Sequence, residues 1–204
     1  MKIIACMPSY KIMDVLAVRS LIAFQADLYS EGHTLHIVFT NGYTASAGRN
    51  QMFKWAAKEE ADYVLSLDSD HIYSASVMHD LIKKLEENKL QLLSAKYYAR
   101  SDFRPNVRTV AMGSYDKDGK FKLRVPEPEE KGLVDVDVVG LGFCVLRHSF
   151  VKDMVAKHDN LFHIDKKGNY ADDVVFCSFV KEEGHRICYD ADNIIGHISV
   201  MVNK

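Results

Sequence analysis

The chain has 204 residues, 48% of them hydrophobic and 26% charged, with a formal net charge of -2. That is the length of one domain, or at most one and a half, with ample apolar residues for a packed core. The near-neutral balance excludes a strongly basic nucleic-acid binder, so no nucleic-acid partner is expected. No apolar run approaches the roughly 18–20 residues of a membrane span, and Met1–Pro8 is too short for a signal peptide. The expectation is therefore a soluble, cytoplasmic chain with no anchor of its own.

Ile3 to Met7 is a short apolar run, the mark of a strand buried on both faces. Asp14 can cap a helix that carries Val15, Val18, Leu21, Ile22, Gln25 and Leu28 at helical spacing and is closed by Gly32. Leu35 to Phe39 reads as a second strand, Thr44 or Ser46 opens a helix through Met52, Phe53, Ala56 and Ala57, and Tyr63 to Leu67 is a third strand. Ser74 or Ser76 caps a helix with Val77, Leu81, Ile82 and Leu85, and Leu92 and Leu93 lie in a fourth strand. This alternation predicts an α/β domain with a largely parallel sheet.

The pattern then changes. Val107 to Tyr115, the turn Asp116–Gly119 and Lys120 to Val125 form a predicted hairpin. Pro126–Glu130 reads as a polar, exposed and mobile segment. Val134, Val136 and Val138 alternate with Asp135 and Asp137, a strand with one wet face that continues through Phe143 to Leu146. Ser149 caps a helix through Val151 and Met154. A last helix runs from about Asp172 to Glu183 and stops at Gly184, with short strands near Ile187 and Ile195. Cys6, Cys144, Cys177 and Cys188 sit in apolar stretches and form no CxxC pair, so buried free thiols are expected.

In open α/β sheets, ligands bind beyond the carboxyl ends of the strands. Three such ends carry polar residues: Pro8-Ser9-Tyr10, Asn41-Gly42 and Asp68-Ser69-Asp70-His71. Two carboxylates at i and i+2 of an extended chain point to one side, where they can hold a hard divalent cation alongside phosphate oxygens. Such a cation neutralises a diphosphate leaving group. The bare pattern is weak. With 18 aspartates it occurs at Asp68/Asp70, Asp116/Asp118, Asp135/Asp137 and Asp190/Asp192, where composition alone gives about one or two. Asp116/Asp118 precede Gly119 and read as a turn, Asp135/Asp137 are the wet face of a strand, and Asp190/Asp192 lie in a polar loop. Only Asp68/Asp70 end an apolar strand in the parallel half, and there helix capping is the plain alternative.

Val64-Leu65-Ser66-Leu67-Asp68-Ser69-Asp70-His71, with Gly48-Arg49-Asn50 upstream, resembles the nucleotide-sugar half of GT-A glycosyltransferases of the family-2 kind. Val139-Gly140-Leu141-Gly142-Phe143-Cys144-Val145-Leu146-Arg147 is similar to that family's glycine-containing strand. Ala171-Asp172-Asp173 stands where the family has an x-Glu-Asp motif. His197, 24 residues further on, stands where many members have a metal-binding histidine. The motifs keep the family's order across residues 3 to 197. The compact form also resembles small soluble enzymes of bacteria and of large DNA viruses, the latter working in the host cytoplasm.

The resemblance implies a GT-A-like, Rossmann-related fold: a mostly parallel central sheet, helices on both faces and a smaller antiparallel C-terminal part. Residues 1–204 would form one catalytic domain, with 1–98 binding the nucleotide sugar and 99–204 the acceptor. The implied reaction is metal-dependent transfer of a sugar from a nucleotide donor, a UDP-sugar, to a hydroxyl acceptor such as a glycan. Asp70 would bind Mn2+ or Mg2+, Asp68 the ribose or the metal shell, and His197 would complete that shell and tilt the choice toward Mn2+. His71 competes as a ligand but, as the next residue of an extended chain, is expected to point away. Pro8, Ser9, Tyr10, Asn41, Arg49, Asn50, Asp68, Ser69, Gly140 and Gly142 would line the donor site. Arg49 would pair with the diphosphate or base, and the two glycines would let backbone approach sugar or acceptor.

Asp172 and Asp173 would be the catalytic pair, Asp172 replacing the usual Glu and Asp173 taking the acceptor's proton. Acids simply favouring a first helical turn is the alternative. Inversion and retention both stay open. Acceptor choice is expected in Tyr97–Arg108 and in the hairpin with Pro126–Lys131. Two rival functions belong to other classes. One is a sugar-phosphate nucleotidyltransferase, against which the first loop Cys6–Lys11 has no glycine. The other is a non-catalytic module that binds a nucleotide sugar or glycan. With no anchor, stem or lectin segment expected, the acceptor would be soluble, delivered by a partner enzyme, or held by further domains of a longer polypeptide.

Overall fold

A computed structural model describes residues 1–9, 13–99, 110–164 and 171–198. In chain order its elements are β1 (Lys2–Ser9), α1 (Val15–Ser30), β2 (Thr34–Asn41), α2 (Ala45–Ala56), β3 (Tyr63–Leu67), β4 (His71–Ile72), α3 (Ala75–Glu87), β5 (Leu92–Lys96), β6 (Met112–Tyr115), β7 (Phe121–Leu123), β8 (Leu133–Asp135), β9 (Val138–Val139), β10 (Phe143–Arg147), α4 (His148–Lys157), α5 (Asp172–Glu182), β11 (Cys188–Ile194) and β12 (Gly196–His197). Seven strands form one sheet in the order β2-β1-β3-β10-β5-β11-β8. The neighbours β2, β1 and β3 are parallel, as are β5 and β11, while β10 and β8 run against theirs. Two smaller antiparallel sheets, β7-β6-β9 and β12-β4, complete the expected α/β architecture. Helix α1 packs beside α3, and α2 beside α4. Among the described residues, no helix is long and apolar enough to cross a membrane.

The first half forms as its local signals dictate. Asp14, Thr44 and Ser74 cap α1, α2 and α3 by accepting the backbone N–H of Leu16, Ala47 and Val77. Gly32 and Gly184 take φ of 77° and 78° just past α1 and α5, the left-handed step that stops a helix. The α1 face is a correction. Ala17, Leu21, Phe24 and Leu28 are buried, whereas Val15, Val18 and Ile22 are exposed. Phe24 sets the rotation, since its ring lies 6.3 Å from both Tyr73 and Phe143.

The second half departs further from the expectations. The alternating valine strand breaks after Asp135: β8 joins the large sheet and β9 the three-stranded one. Between them Asp137 accepts the Tyr115 N–H at 2.8 Å. Helix α4 starts at His148 with no side-chain cap, so Ser149 lies inside it, and the His148 N–H is taken by the Asp62 carbonyl instead. The hairpin turns at Gly119 with φ 72°, its strands being β6 and β7, while the expected start at 107–109 lies outside the described residues. The Pro126–Glu130 segment is not wholly exposed. The Glu130 carboxylate is buried, accepting Arg124 and the Tyr189 hydroxyl. All four cysteines are buried free thiols.

Candidate active site

The strand directions bring the carboxyl ends of β1, β2, β3 and β5 to one edge of the sheet, together with the amino end of β10. Ser9 and Asn41 are register partners there, as are Pro8 and Thr40. Asp68 and Ser69 follow β3, Tyr97 follows β5, and Gly142 precedes β10, its carbonyl accepting the Asp68 N–H at 2.9 Å. Tyr10, and residues 100–108 of the segment expected to choose the acceptor, lie outside the described residues.

Arg49, on α2, is buried among three carboxylates. One guanidinium nitrogen lies 2.6 Å from Asp68, and the other lies 2.9 Å from Asp172 and 3.3 Å from Asp173. Burial alone would favour the neutral guanidine, but Asp68, Asp173 and Asp172 overturn it and hold the charge more firmly than usual. Within the chain, Arg49 supplies the cation that three acids gathered in one place need. Asp173 is pushed up from 3.8 to about 7, first by burial and then by Asp172 and Asp68, against the pull of Arg49. The two acids in the first turn of α5 differ in access: the Asp172 side chain is 12% exposed and that of Asp173 27%. Asp172 is therefore the more enclosed of the two, and Asp173 the more accessible.

An aromatic cluster holds α5 to α2. Phe162 lies edge-on to Phe53 at 4.8 Å and stacks on Phe176 at 4.9 Å. Asn50 completes the brace, its amide donating to the Phe162 carbonyl at 2.5 Å while its oxygen accepts the Phe162 N–H at 3.1 Å. Both ends of that amide are engaged, so Asn50 braces this segment. Asn50→Ala is expected to cost about 1–3 kcal/mol, because two part-buried backbone groups lose their partner. A fall in the urea midpoint at constant slope checks this.

The second cluster lies beside the first. Asp68–Asp70 is a turn rather than extended chain, so the i, i+2 argument for a shared face does not apply. Asp68 goes to Arg49, and Asp70 lies 3.4 Å from His71 Nδ1 and 3.5 Å from His197 Nε2. His71, expected to point away, is turned inward because β4 begins there and pairs with β12, which sets His71 opposite His197. Their rings stack at 4.5 Å. His197 Nδ1 lies 2.8 Å from the Tyr98 carbonyl, to which it donates a hydrogen bond, and Nε2 is directed toward Asp70. His71 is fully buried and neither ring nitrogen makes a hydrogen bond of normal geometry. Burial pulls its pKa down to about 4 despite Asp68 and Asp70, so the imidazole is neutral. Ligand atoms of Asp70, His71 and His197 all lie within 4.8 Å of one another. Two imidazoles and a carboxylate, one ring with orphaned nitrogens, fit a divalent metal ion. Asp68 stands outside that trio.

The glycines serve the protein's own side chains. A Cβ on Gly142 would come within 2.5 Å of His71 Cε1, 2.9 Å of Asp68 and 3.0 Å of Tyr97, and one on Gly140 would strike the Tyr97 hydroxyl. At both positions the missing Cβ leaves room for Tyr97, and at Gly142 also for His71. The Tyr97 hydroxyl accepts the Gly142 N–H at 2.9 Å, and its ring meets His71 edge-on at 4.6 Å. Tyr73 donates to the Asp68 carbonyl at 2.6 Å. The sequence reading named Tyr97 only as the start of an acceptor segment and passed over Tyr73. The available signal was a large aromatic just beyond each strand end. Gly142→Ala is expected to cost about 1–3 kcal/mol through overpacking and to displace His71, which a thermal melt and the imidazole NMR shifts would register.

The sequence profile of the family described as "Glycosyl transferase family 2" matches residues 20–149. No curated protein matches the chain. Among solved structures it is similar to the one titled "Crystal Structure of A197 from STIV", with a TM-score of 0.64 at 17% identity, over 98% of this chain and 87% of that one. At that identity the likeness speaks for the fold. The profile match takes in more than half of the chain, including Arg49, Asp68, Asp70, His71 and Gly142, and the chain belongs to glycosyl transferase family 2.

Proposed function

We propose that this glycosyltransferase moves a sugar from a UDP-linked donor to a hydroxyl of a glycan, with a divalent metal ion and with inversion at the anomeric carbon. The observation that carries the reading is the adjacency of two clusters at one sheet edge. His71 Cε1 and Asp68 border the same point beside Gly142, and Asp68 shares Arg49 with Asp173. Asp70, His71 and His197 would hold the ion, which when bound supplies positive charge beside the departing diphosphate. Two imidazoles favour Mn2+ over Mg2+. Pro8, Ser9 and Asn41 are side by side on β1 and β2, in reach of a nucleoside, and Ser69 lies between the two aspartates.

Asp173 supplies the base. It accepts the acceptor hydroxyl's proton as that oxygen bonds to the anomeric carbon. The bond from that carbon to the phosphate oxygen breaks, and its electron pair leaves with the diphosphate. A base poised near neutral pH suits this task. Residues 1–98 would serve the donor and 99–204 the acceptor. An open groove of about 810 Å³ along Arg124, Glu127–Lys131 and Leu133–Asp135 lies in the region assigned to acceptor choice.

A panel of UDP-sugars with Mn2+, with and without oligosaccharide acceptors, tests the reading. One donor should give Mn2+-dependent UDP release and a product of opposite anomeric configuration by NMR. Retained configuration would remove the base role of Asp173. Binding without release would favour a non-catalytic module. Pyrophosphate formed from a sugar phosphate and a nucleoside triphosphate would favour a nucleotidyltransferase.

A further inference from the structure

We propose a second metal site, for a late first-row divalent cation such as Zn2+, formed by Glu31 and His33 just past α1 and His79 on α3, apart from the candidate active-site residues. Glu31 and His33 flank Gly32, whose φ of 77° reverses the chain after α1 and turns both side chains toward His79 on α3. Glu31 Oε2 is hydrogen-bonded to His79 Nε2 and lies 3.9 Å from His33 Nε2. The two rings are 5.3 Å apart at 63°, and one ligand atom from each residue lies within 4.8 Å of the others.

Tetrahedral zinc with bonds of about 2.0–2.1 Å separates its ligand atoms by roughly 3.4 Å. The three groups reach that spacing by small rotations, and side-chain exposures of 45% (Glu31), 21% (His33) and 31% (His79) leave them room to move. The chemistry of the set selects the ion. Mg2+ and Ca2+ want oxygen ligands, whereas two imidazoles and one carboxylate suit zinc, with water in the remaining position. His33 Nδ1 lies 3.3 Å from the Met1 amine. With its proton on Nδ1 and donated to the free amine, the ring would be oriented and the Nε2 lone pair offered to the ion. A bound ion would clip the end of α1 to α3 and replace the Glu31–His79 pair that joins them without it.

Zinc alone is the probe. Calorimetric titration uses the chain with Asp70→Asn and His197→Gln, which silences the other histidine cluster. One zinc ion should bind, with a zinc-induced rise in Tm. Adding His79→Gln should weaken binding at least about tenfold and abolish that rise. Glu31→Gln, which keeps both imidazoles, should weaken it less. Anomalous scattering at the zinc edge from crystals of the unaltered chain should place a peak between the three side chains. No zinc bound to the silenced chain, unchanged affinity in the His79→Gln variant, or no peak at that position overturns the proposal.

Discussion

Asp173→Asn is expected to leave the chain folded and still able to bind donor while lowering transfer by about two to four orders of magnitude. The asparagine keeps the size of the side chain and a hydrogen bond to Arg49 but cannot accept a proton. The unaltered enzyme should show a matching pH dependence. With Asp173 pushed up to about 7, kcat/KM should rise with unit slope as pH climbs toward 7 and level off above it. The stability effect has the opposite sign. Between the ordinary aspartate range near 3.8 and about 7, the folded chain keeps a proton that the unfolded chain gives up, so the Asp173 contribution to stability falls as pH rises through that window. The Asp173→Asn variant lacks this dependence. The stability difference between the two chains, from urea unfolding at several pH values, should therefore move against the unaltered chain from pH 4 to 7. Normal turnover in the variant removes Asp173 from the reaction.

Arg49→Met is expected to cost the most stability, about 3–5 kcal/mol near neutral pH, because Asp68, Asp172 and Asp173 are then left together without their cation. Arg49 pulls the raised Asp173 pKa down, and without it the three carboxylates repel one another unopposed, so the variant is penalised most where carboxylates are ionised. Its deficit should shrink as pH falls toward the ordinary carboxylate range. Arg49→Lys keeps the charge, but a point ammonium cannot span three carboxylates as the planar fork does, so an intermediate loss is expected. Equal denaturation midpoints for Arg49→Met and the unaltered chain at neutral pH would show that the guanidinium does not neutralise these acids.

What could be read in the sequence was local. Caps at Asp14, Thr44 and Ser74, the β3 boundaries and the helix stops at Gly32 and Gly184 are short-range features with their own physical signals. The alternation of strand and helix was enough for the α/β architecture. What stayed hidden depends on residues far apart in the chain. Arg49 and Asp172 are separated by 123 positions, and nothing in either neighbourhood says they meet. The inward turn of His71 follows from β4 pairing with β12, a two-residue strand at the far end of the chain. The α1 face was misread for a different reason. Ala17 contributes little hydropathy, while exposed Val15 and Ile22 contribute much, so periodicity favoured the wrong stripe. Asn50, Gly140 and Gly142 sit at the motif positions expected to touch donor or acceptor, and their neighbours within the chain, Phe162, Tyr97 and His71, were not legible in the motif.

The proposed metal ion, held by Asp70, His71 and His197, would serve the donor's diphosphate. The most direct test is calorimetric titration of UDP in the presence and absence of Mn2+, in the unaltered chain and in Asp70→Ala. UDP should bind at least about tenfold more tightly with Mn2+, and Asp70→Ala should lose that gain. A UDP affinity in Asp70→Ala that is as strong with Mn2+ as in the unaltered chain would contradict the account.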